Sequence, residues 1–127
     1  MKFVLWIVIP VFLLVISVVP LATLGAKQAF AHPEKPWAPG VAVTSAQAMT
    51  YATVYSGALE ILLKANQTFP AYPRRDRVYF LIGYCYEKDC KYPEARQWYN
   101  AFLQAFPGHE WTGKIQKRMA DLEAVGN

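Results

Sequence analysis

The stretch VYFLIGYCYEKDCKYPEARQWYNAFLQAFP, Val78 to Pro107, decides the fold of this chain. Large apolar residues recur in it at helical spacing, and charged or polar residues return every few positions. Each helix formed here would therefore have one face to bury and one face to expose. Because proline is favoured in the first turn of a helix, we predict one helix ending near Lys88 and another from about Pro93 to Ala105.

The sequence also repeats at a period of 37 residues. Shifting it by this period places Phe69-Pro70 on Phe106-Pro107 and Ala58 on Ala95. Periods of this size are typical of stacked helical pairs. The best copy combines large and small residues in a fixed order: Tyr79, Ile82, Gly83, Tyr86, Ala95, Tyr99, Phe102 and Pro107.

In this order and spacing the stretch resembles a tetratricopeptide repeat, particularly the long-period repeats of bacterial envelope proteins such as the Tol-Pal coordinator and the outer-membrane assembly lipoproteins. The resemblance covers about residues 45–125. It implies antiparallel helix pairs, with a concave surface lined by the first helix of each pair. On that surface, Arg77, Phe80, Tyr84 and Glu87 would bind another protein, since aromatic and arginine residues dominate interfaces. The alternative is an ordinary solvated helix face.

Ahead of this domain, residues 3–26 contain no charged side chain. As a helix they would be about 36 Å long, enough to cross a hydrocarbon core of about 30 Å. We therefore predict a transmembrane anchor over residues 1–26, in contact with membrane lipids. The alternative is a cleaved signal, because Ala29-Phe30-Ala31 has the pattern of a cleavage site, although a signal's apolar region is usually only about 7–15 residues long.

Charges flanking the span orient it only weakly, because Lys2 precedes it and Lys27 and Lys35 follow it. The short N-terminus favours a bacterial inner-membrane protein with its C-terminal domain in the periplasm. Three prolines between positions 33 and 39 predict an extended, polyproline-like linker over residues 27–43.

Residues 44–127 then form the helical domain, and the chain is predicted to be all-α, with one membrane helix followed by about four helices. The first of these four begins at Thr44 or Ser45 and ends before Pro70, interrupted only at Ser56-Gly57. The others run from about Arg75 to Lys88, from about Pro93 to Ala105 and from about Glu110 to Ala124.

Two cysteines, Cys85 and Cys90, lie five positions apart. This spacing excludes a Cys-x-x-Cys redox or haem-attachment motif. A disulfide between them is an open alternative in an exported domain. It requires Cα atoms within about 7 Å, which five residues of a regular helix exceed, so the other reading is a buried thiol at Cys85.

No catalytic constellation is recognisable in the sequence. His32 and His109 have no partner at metal-ligand or triad spacing, and there is no glycine-rich phosphate loop. We expect no enzymatic activity, no cofactor and no metal. The chain has a net charge of +4, and its cationic residues include Lys114, Lys117 and Arg118. Such a charge provides too small a positive surface for nucleic-acid binding.

The sequence thus predicts a non-catalytic accessory or assembly subunit that binds other protein subunits of a larger membrane complex. A small cofactor-free subunit with this architecture would suit a photosynthetic or respiratory complex. The alternative is a periplasmic envelope adaptor that recruits soluble partners transiently.

Overall fold

The computed structural model describes residues 1–125, apart from the side chain of Val15. All regular secondary structure in these residues is helical, which confirms the predicted all-α class. The last two residues of the predicted domain, 126 and 127, lie outside the described residues. The helices are α1 (Lys2–Ala31), α2 (Ala38–Tyr51), α3 (Tyr55–Thr68), α4 (Arg75–Lys88), α5 (Tyr92–Ala105) and α6 (Thr112–Val125).

Helix α1 is long and apolar enough to cross a membrane. Its large side chains are widely exposed, with Phe3 at 85%, Trp6 at 82% and Phe12 at 63%. Exposed apolar surface of this extent marks a surface that contacts a membrane or another protein. The helix continues through Pro10 and Pro20.

The predicted extended linker over residues 27–43 is wrong. Helix α1 continues to Ala31 and α2 already begins at Ala38, so only residues 32–37 are non-helical between them. The physical reason is the place of Pro39, which lies in the first turn of α2. Backbone N–H groups in a first turn have no partner within the helix, so proline loses no hydrogen bond there.

Small residues form the contact between α1 and α2. Ala26 and Ala29 of α1 are at most 4% exposed, and Ala42 of α2 is fully buried. A Cβ atom added at Gly25 would lie only 2.9 Å from the Oγ atom of Ser45. Residues of this size let helix backbones approach closely. The helical domain is therefore packed directly against the end of the apolar helix.

Helices α2 and α3, and likewise α4 and α5, form hairpins closed by three-residue turns. The starts of α2, α4 and α6 lie 37 residues apart, which is the period seen in the sequence. Five helices follow α1 where about four were predicted, because the predicted first helix is divided into α2 and α3. The break lies at residues 52–54, so the interruption predicted at Ser56-Gly57 is wrong.

Each three-residue turn contains one residue in the left-handed conformation, Thr53 with φ 63° and Cys90 with φ 60°. The residue that follows donates its N–H, over 2.9 Å, to a carbonyl oxygen five residues back. This is the hydrogen bond of a Schellman cap, in which glycine is the usual left-handed residue. Both hairpins thus turn in the same way without glycine.

The closest approach within a hairpin is between Gly83 of α4 and Tyr99 of α5. Tyr99 is fully buried, and a Cβ atom added at Gly83 would lie 2.6 Å from its Cε1 atom. This ring forms one core cluster with Ala95, Phe102, Ile115 and Leu122. Gly83 therefore allows α4 to pack directly against the Tyr99 ring. This ring extends from α5 into the core cluster that includes side chains of α6.

We expect Gly83→Ala to lower the free energy of unfolding by about 1–3 kcal/mol, because the added methyl group would overpack the site. The matched control is Gly113→Ala in α6, where a Cβ atom would meet nothing within 4 Å. The control should leave stability unchanged or raise it by up to about 1 kcal/mol. Thermal and chemical unfolding followed by circular dichroism measures both, and equal stability of the two variants would contradict this account.

Candidate functional site

The four residues predicted to bind a partner lie on one face of α4. Arg77, Phe80, Tyr84 and Glu87 are spaced by three, four and three positions, which places them in one row along the helix, and each is half-buried. Among them, Phe80 and Tyr84 pack together with ring centroids 6.2 Å apart.

Helix α6 lies beside this row and contributes two cations to it. The Nζ atom of Lys114 is 4.6 Å from the centroid of the Phe80 ring, and the guanidinium of Arg118 is 5.2 Å from that of Tyr84. Trp111, just before α6, packs on Phe80 at 5.5 Å. Cations within about 6 Å of an aromatic face are attracted to it. We call these residues the α4–α6 face: Phe80, Tyr84, Glu87, Trp111, Lys114 and Arg118.

The ion pair between Glu87 and Arg118 anchors α6 to α4. One guanidinium nitrogen of Arg118 donates to Glu87 over 2.5 Å, and the Tyr99 hydroxyl donates to the same carboxylate over 3.5 Å. Desolvation is the largest influence on the pKa of Arg118 and lowers it, but the charge of Glu87, the hydrogen bond to Glu87 and the neighbouring tyrosines together outweigh it, so the net shift is upward. Burial raises the pKa of Tyr99, so its hydroxyl keeps its proton and remains a donor.

The structure thus brings Phe80, Tyr84 and Glu87 into one network, whereas Arg77 stands apart from it. Within residues 1–125 no hydrogen bond or ion pair joins the Arg77 side chain to another side chain. Sequence reasoning named Lys114 and Arg118 as contributors to the net charge and missed their contacts with α4. The 37-residue period contained the signal, since it places Lys114 at the position that Arg77 occupies in α4.

An open groove of about 760 Å³ adjoins this face, along α6 and near the C-terminal end of α4. Its wall includes four cationic side chains and two carboxylates, so positive charge is in excess. These charged residues are Glu87, Lys88, Lys114, Lys117, Arg118 and Asp121.

A second polar contact, also missed in the sequence, fixes the connection between α5 and α6. The His109 ring lies 2.9 Å from the Asp76 carboxylate through Nε2, and its Nδ1 accepts the backbone N–H of Trp111 over 3.0 Å. Because Nδ1 is an acceptor, a neutral His109 carries its proton on Nε2 and donates it to Asp76. His109 therefore positions Trp111 against Phe80 within the α4–α6 face.

The two cysteines are separate and free. Cys85 is fully buried, with its sulfur 3.6 Å from the Thr50 hydroxyl, and Cys90 is exposed in the turn that follows α4. The disulfide considered from the sequence is therefore not formed in this structure. Burial raises the pKa of the Cys85 thiol, although its hydrogen bond with Thr50 opposes the shift.

Within residues 1–125, no group of three or more His, Cys, Asp and Glu side chains could hold a metal ion. No family model, curated protein or solved structure matches the chain.

We predict that Asp76 makes the fold acid-sensitive. Desolvation raises the pKa of its carboxyl, but hydrogen bonds from His109, the Arg77 backbone and Arg74 outweigh this, and the pKa lies below its ordinary 3.8. A group with a depressed folded-state pKa stabilises the fold above its unfolded-state pKa and loses that contribution as the pH falls through the folded-state value.

The stabilisation should therefore be complete above about pH 5 and decline as the pH falls below 3.8. Denaturant unfolding of the wild type and of Asp76→Asn between pH 7 and pH 2 measures it. The difference in unfolding free energy between the two proteins should shrink over the acid range. A difference that stays constant would show that the carboxylate contributes nothing through its charge.

We further predict that maleimide labels Cys90 in the folded protein and reaches Cys85 only after denaturation, because one thiol is exposed and the other buried. Mass spectrometry with and without prior reduction should give the same labelling. A requirement for reductant before denatured protein takes up two labels would instead demonstrate a disulfide.

Proposed function

We propose that this chain is a single-span membrane protein with a tetratricopeptide-like domain, acting as a non-catalytic accessory subunit that binds another subunit of a membrane complex. The observation that carries the proposal is the α4–α6 face, on which cations lie over half-buried aromatic rings beside an open groove rich in positive charge.

The order of the helices supports a repeat-type binding domain. Hairpins of equal length recur every 37 residues, with α2, α4 and α6 in equivalent positions. In tetratricopeptide repeats the first helix of each pair lines the concave surface, as the resemblance implies. The α4–α6 face would then be the most aromatic part of that surface.

Charge defines the chemistry of the partner. Glu87 is already neutralised by Arg118, which leaves Lys88, Lys114 and Lys117 to attract an incoming anion. An acidic segment of the partner, with an aromatic or apolar side chain to contact Phe80 and Tyr84, would match both features. Complementary charge of this kind guides association and excludes wrong partners.

The junction of α1 and α2 supports a subunit held at a fixed position. Because the domain packs on the end of α1, it has no extended tether that would let it search for partners. The same packing supports retention of α1, since Ala29 is helical and fully buried, and cleavage after Ala31 would uncover Ala38 and Ala42. Insertion in the bacterial inner membrane, with the domain in the periplasm, is part of the proposal, and a bioenergetic complex would suit such a subunit.

A photo-crosslinking residue at Tyr84 tests the face directly, with the same residue at the exposed Gln97 of α5 as the matched control. In native membranes the Tyr84 position should crosslink to one defined protein that co-purifies in a fixed ratio, and the Gln97 position should not. Equal products from both positions would exclude this face as the binding site.

The charge requirement is tested by Lys114→Glu with Lys117→Glu, compared with the matched exposed pair Lys35→Glu and Lys91→Glu. We expect the first pair to reduce the retained partner roughly tenfold or more, because reversal places like charges together, and the control pair to retain it. Retention in detergent distinguishes a permanent subunit from the alternative, a periplasmic adaptor, whose partners would exchange during purification.

A further inference from the structure

A second groove, of about 510 Å³, lies between α1 and α3. Its floor is apolar and its rim carries charges. Ala26, Phe30, Met49 and Ile61 contribute the apolar part, and Lys27, Glu60 and Lys64 the charged part. We call it the α1–α3 groove. It shares no residue with the groove beside the α4–α6 face.

The position of this groove along α1 places it at a membrane boundary. Exposed apolar side chains extend along α1 to Leu21 and Leu24, on the side of the helix that faces away from the helical domain, whose contact with α1 begins at Val19. Residues 3–21 span about 28 Å as a helix, close to the thickness of a hydrocarbon core. Thr23, at the lower end of the groove, then lies where the lipid headgroups begin, and Phe30 lies about 10 Å above it.

The groove is bridged at its upper end and faces the bilayer at its lower end. The Phe30 ring stacks on Phe69 beyond the end of α3, with centroids 6.0 Å apart and planes at 13°. Because successive helices alternate in direction, α3 runs parallel to α1, so Gly57 lies on the bilayer side and Lys64 near Phe30. The Lys64 Nζ atom is 4.5 Å from the Phe30 ring centroid.

The two lysines of the rim are available to an anion. Within residues 1–125 neither Lys27 nor Lys64 has a carboxylate within 4.0 Å, so Glu60 does not neutralise them. Ammonium groups at headgroup level above an apolar channel match the chemistry of one molecule, an anionic phospholipid, with its phosphate above its acyl chains.

We propose that the α1–α3 groove holds one anionic phospholipid, with its phosphate between Lys27 and Lys64 and the upper part of an acyl chain against Ala26, Met49 and Ile61. The inference rests on the membrane insertion of α1 that forms part of the proposed function. It adds a lipid-binding site on helices other than those of the α4–α6 face.

The test uses the full chain, purified in mild detergent and mixed with phosphatidylglycerol or, as the zwitterionic reference, phosphatidylcholine. Native mass spectrometry counts the lipids that each chain retains. The wild type should retain one phosphatidylglycerol in preference to phosphatidylcholine. Each of Lys27→Gln and Lys64→Gln should weaken retention about fivefold, and the double variant about 25-fold.

The matched control is the double variant Lys35→Gln and Lys91→Gln, which removes two exposed lysines outside the groove and should bind like the wild type. Retention by the Lys27 and Lys64 double variant at the wild-type level would overturn the proposal, as would equal losses in the control. A lipid-free dimer would also overturn it, because a second copy would then cover the groove.

Flotation with phosphatidylcholine vesicles separates this inference from the proposed function. A chain that fails to float lacks the inserted helix on which both depend, which would overturn both. A chain that floats but shows no preference for phosphatidylglycerol overturns the lipid site alone. Circular dichroism confirms that each variant is folded.

Discussion

The close packing of α1 against α2 is the constraint on which the rest of the arrangement depends. Ala26, Ala29 and Ala42 are almost fully buried in it, and a Cβ atom added at Gly25 would lie only 2.9 Å from the Oγ atom of Ser45. A larger residue at any of these positions would force the backbones apart. Because this contact lies at the C-terminal end of α1, it fixes where the helical domain begins relative to the apolar helix.

The opposite end of the molecule is held by a different kind of interaction. Helix α6 packs through Ile115 and Leu122, but its orientation against α4 is fixed by Arg118, which contacts Glu87 and the ring of Tyr84. Burying a guanidinium is unfavourable unless its charge is neutralised, and Glu87 provides that neutralisation. The residues that stabilise this end are therefore also those that form the α4–α6 face. A substitution among them would change both the stability of the fold and the candidate binding site.

The parts of the fold that sequence reasoning predicted are those with strong local signals. The apolar pattern and Pro93 located α4 and α5, and the uncharged stretch located α1. The division between α2 and α3 was missed because Thr53, and not glycine, occupies the left-handed position of the turn. Pro39 was misread because proline disrupts a helix interior but suits a first turn. The contact of Arg118 with Glu87 and that of His109 with Asp76 each join residues more than thirty positions apart, which no local pattern encodes.

The two candidate surfaces lie on helices that run in opposite directions. The α1–α3 groove lies between helices that run in the same direction as α1, whereas α4 and α6 run in the opposite direction. The two grooves share no lining residue, so a lipid and a protein partner would not compete for the same residues. Both surfaces belong to one stack of packed helices that begins at α1. A lipid that fixes the tilt of α1 would therefore also fix the direction of the α4–α6 face. Such coupling needs no conformational change, because it follows from the close packing of α1 against α2.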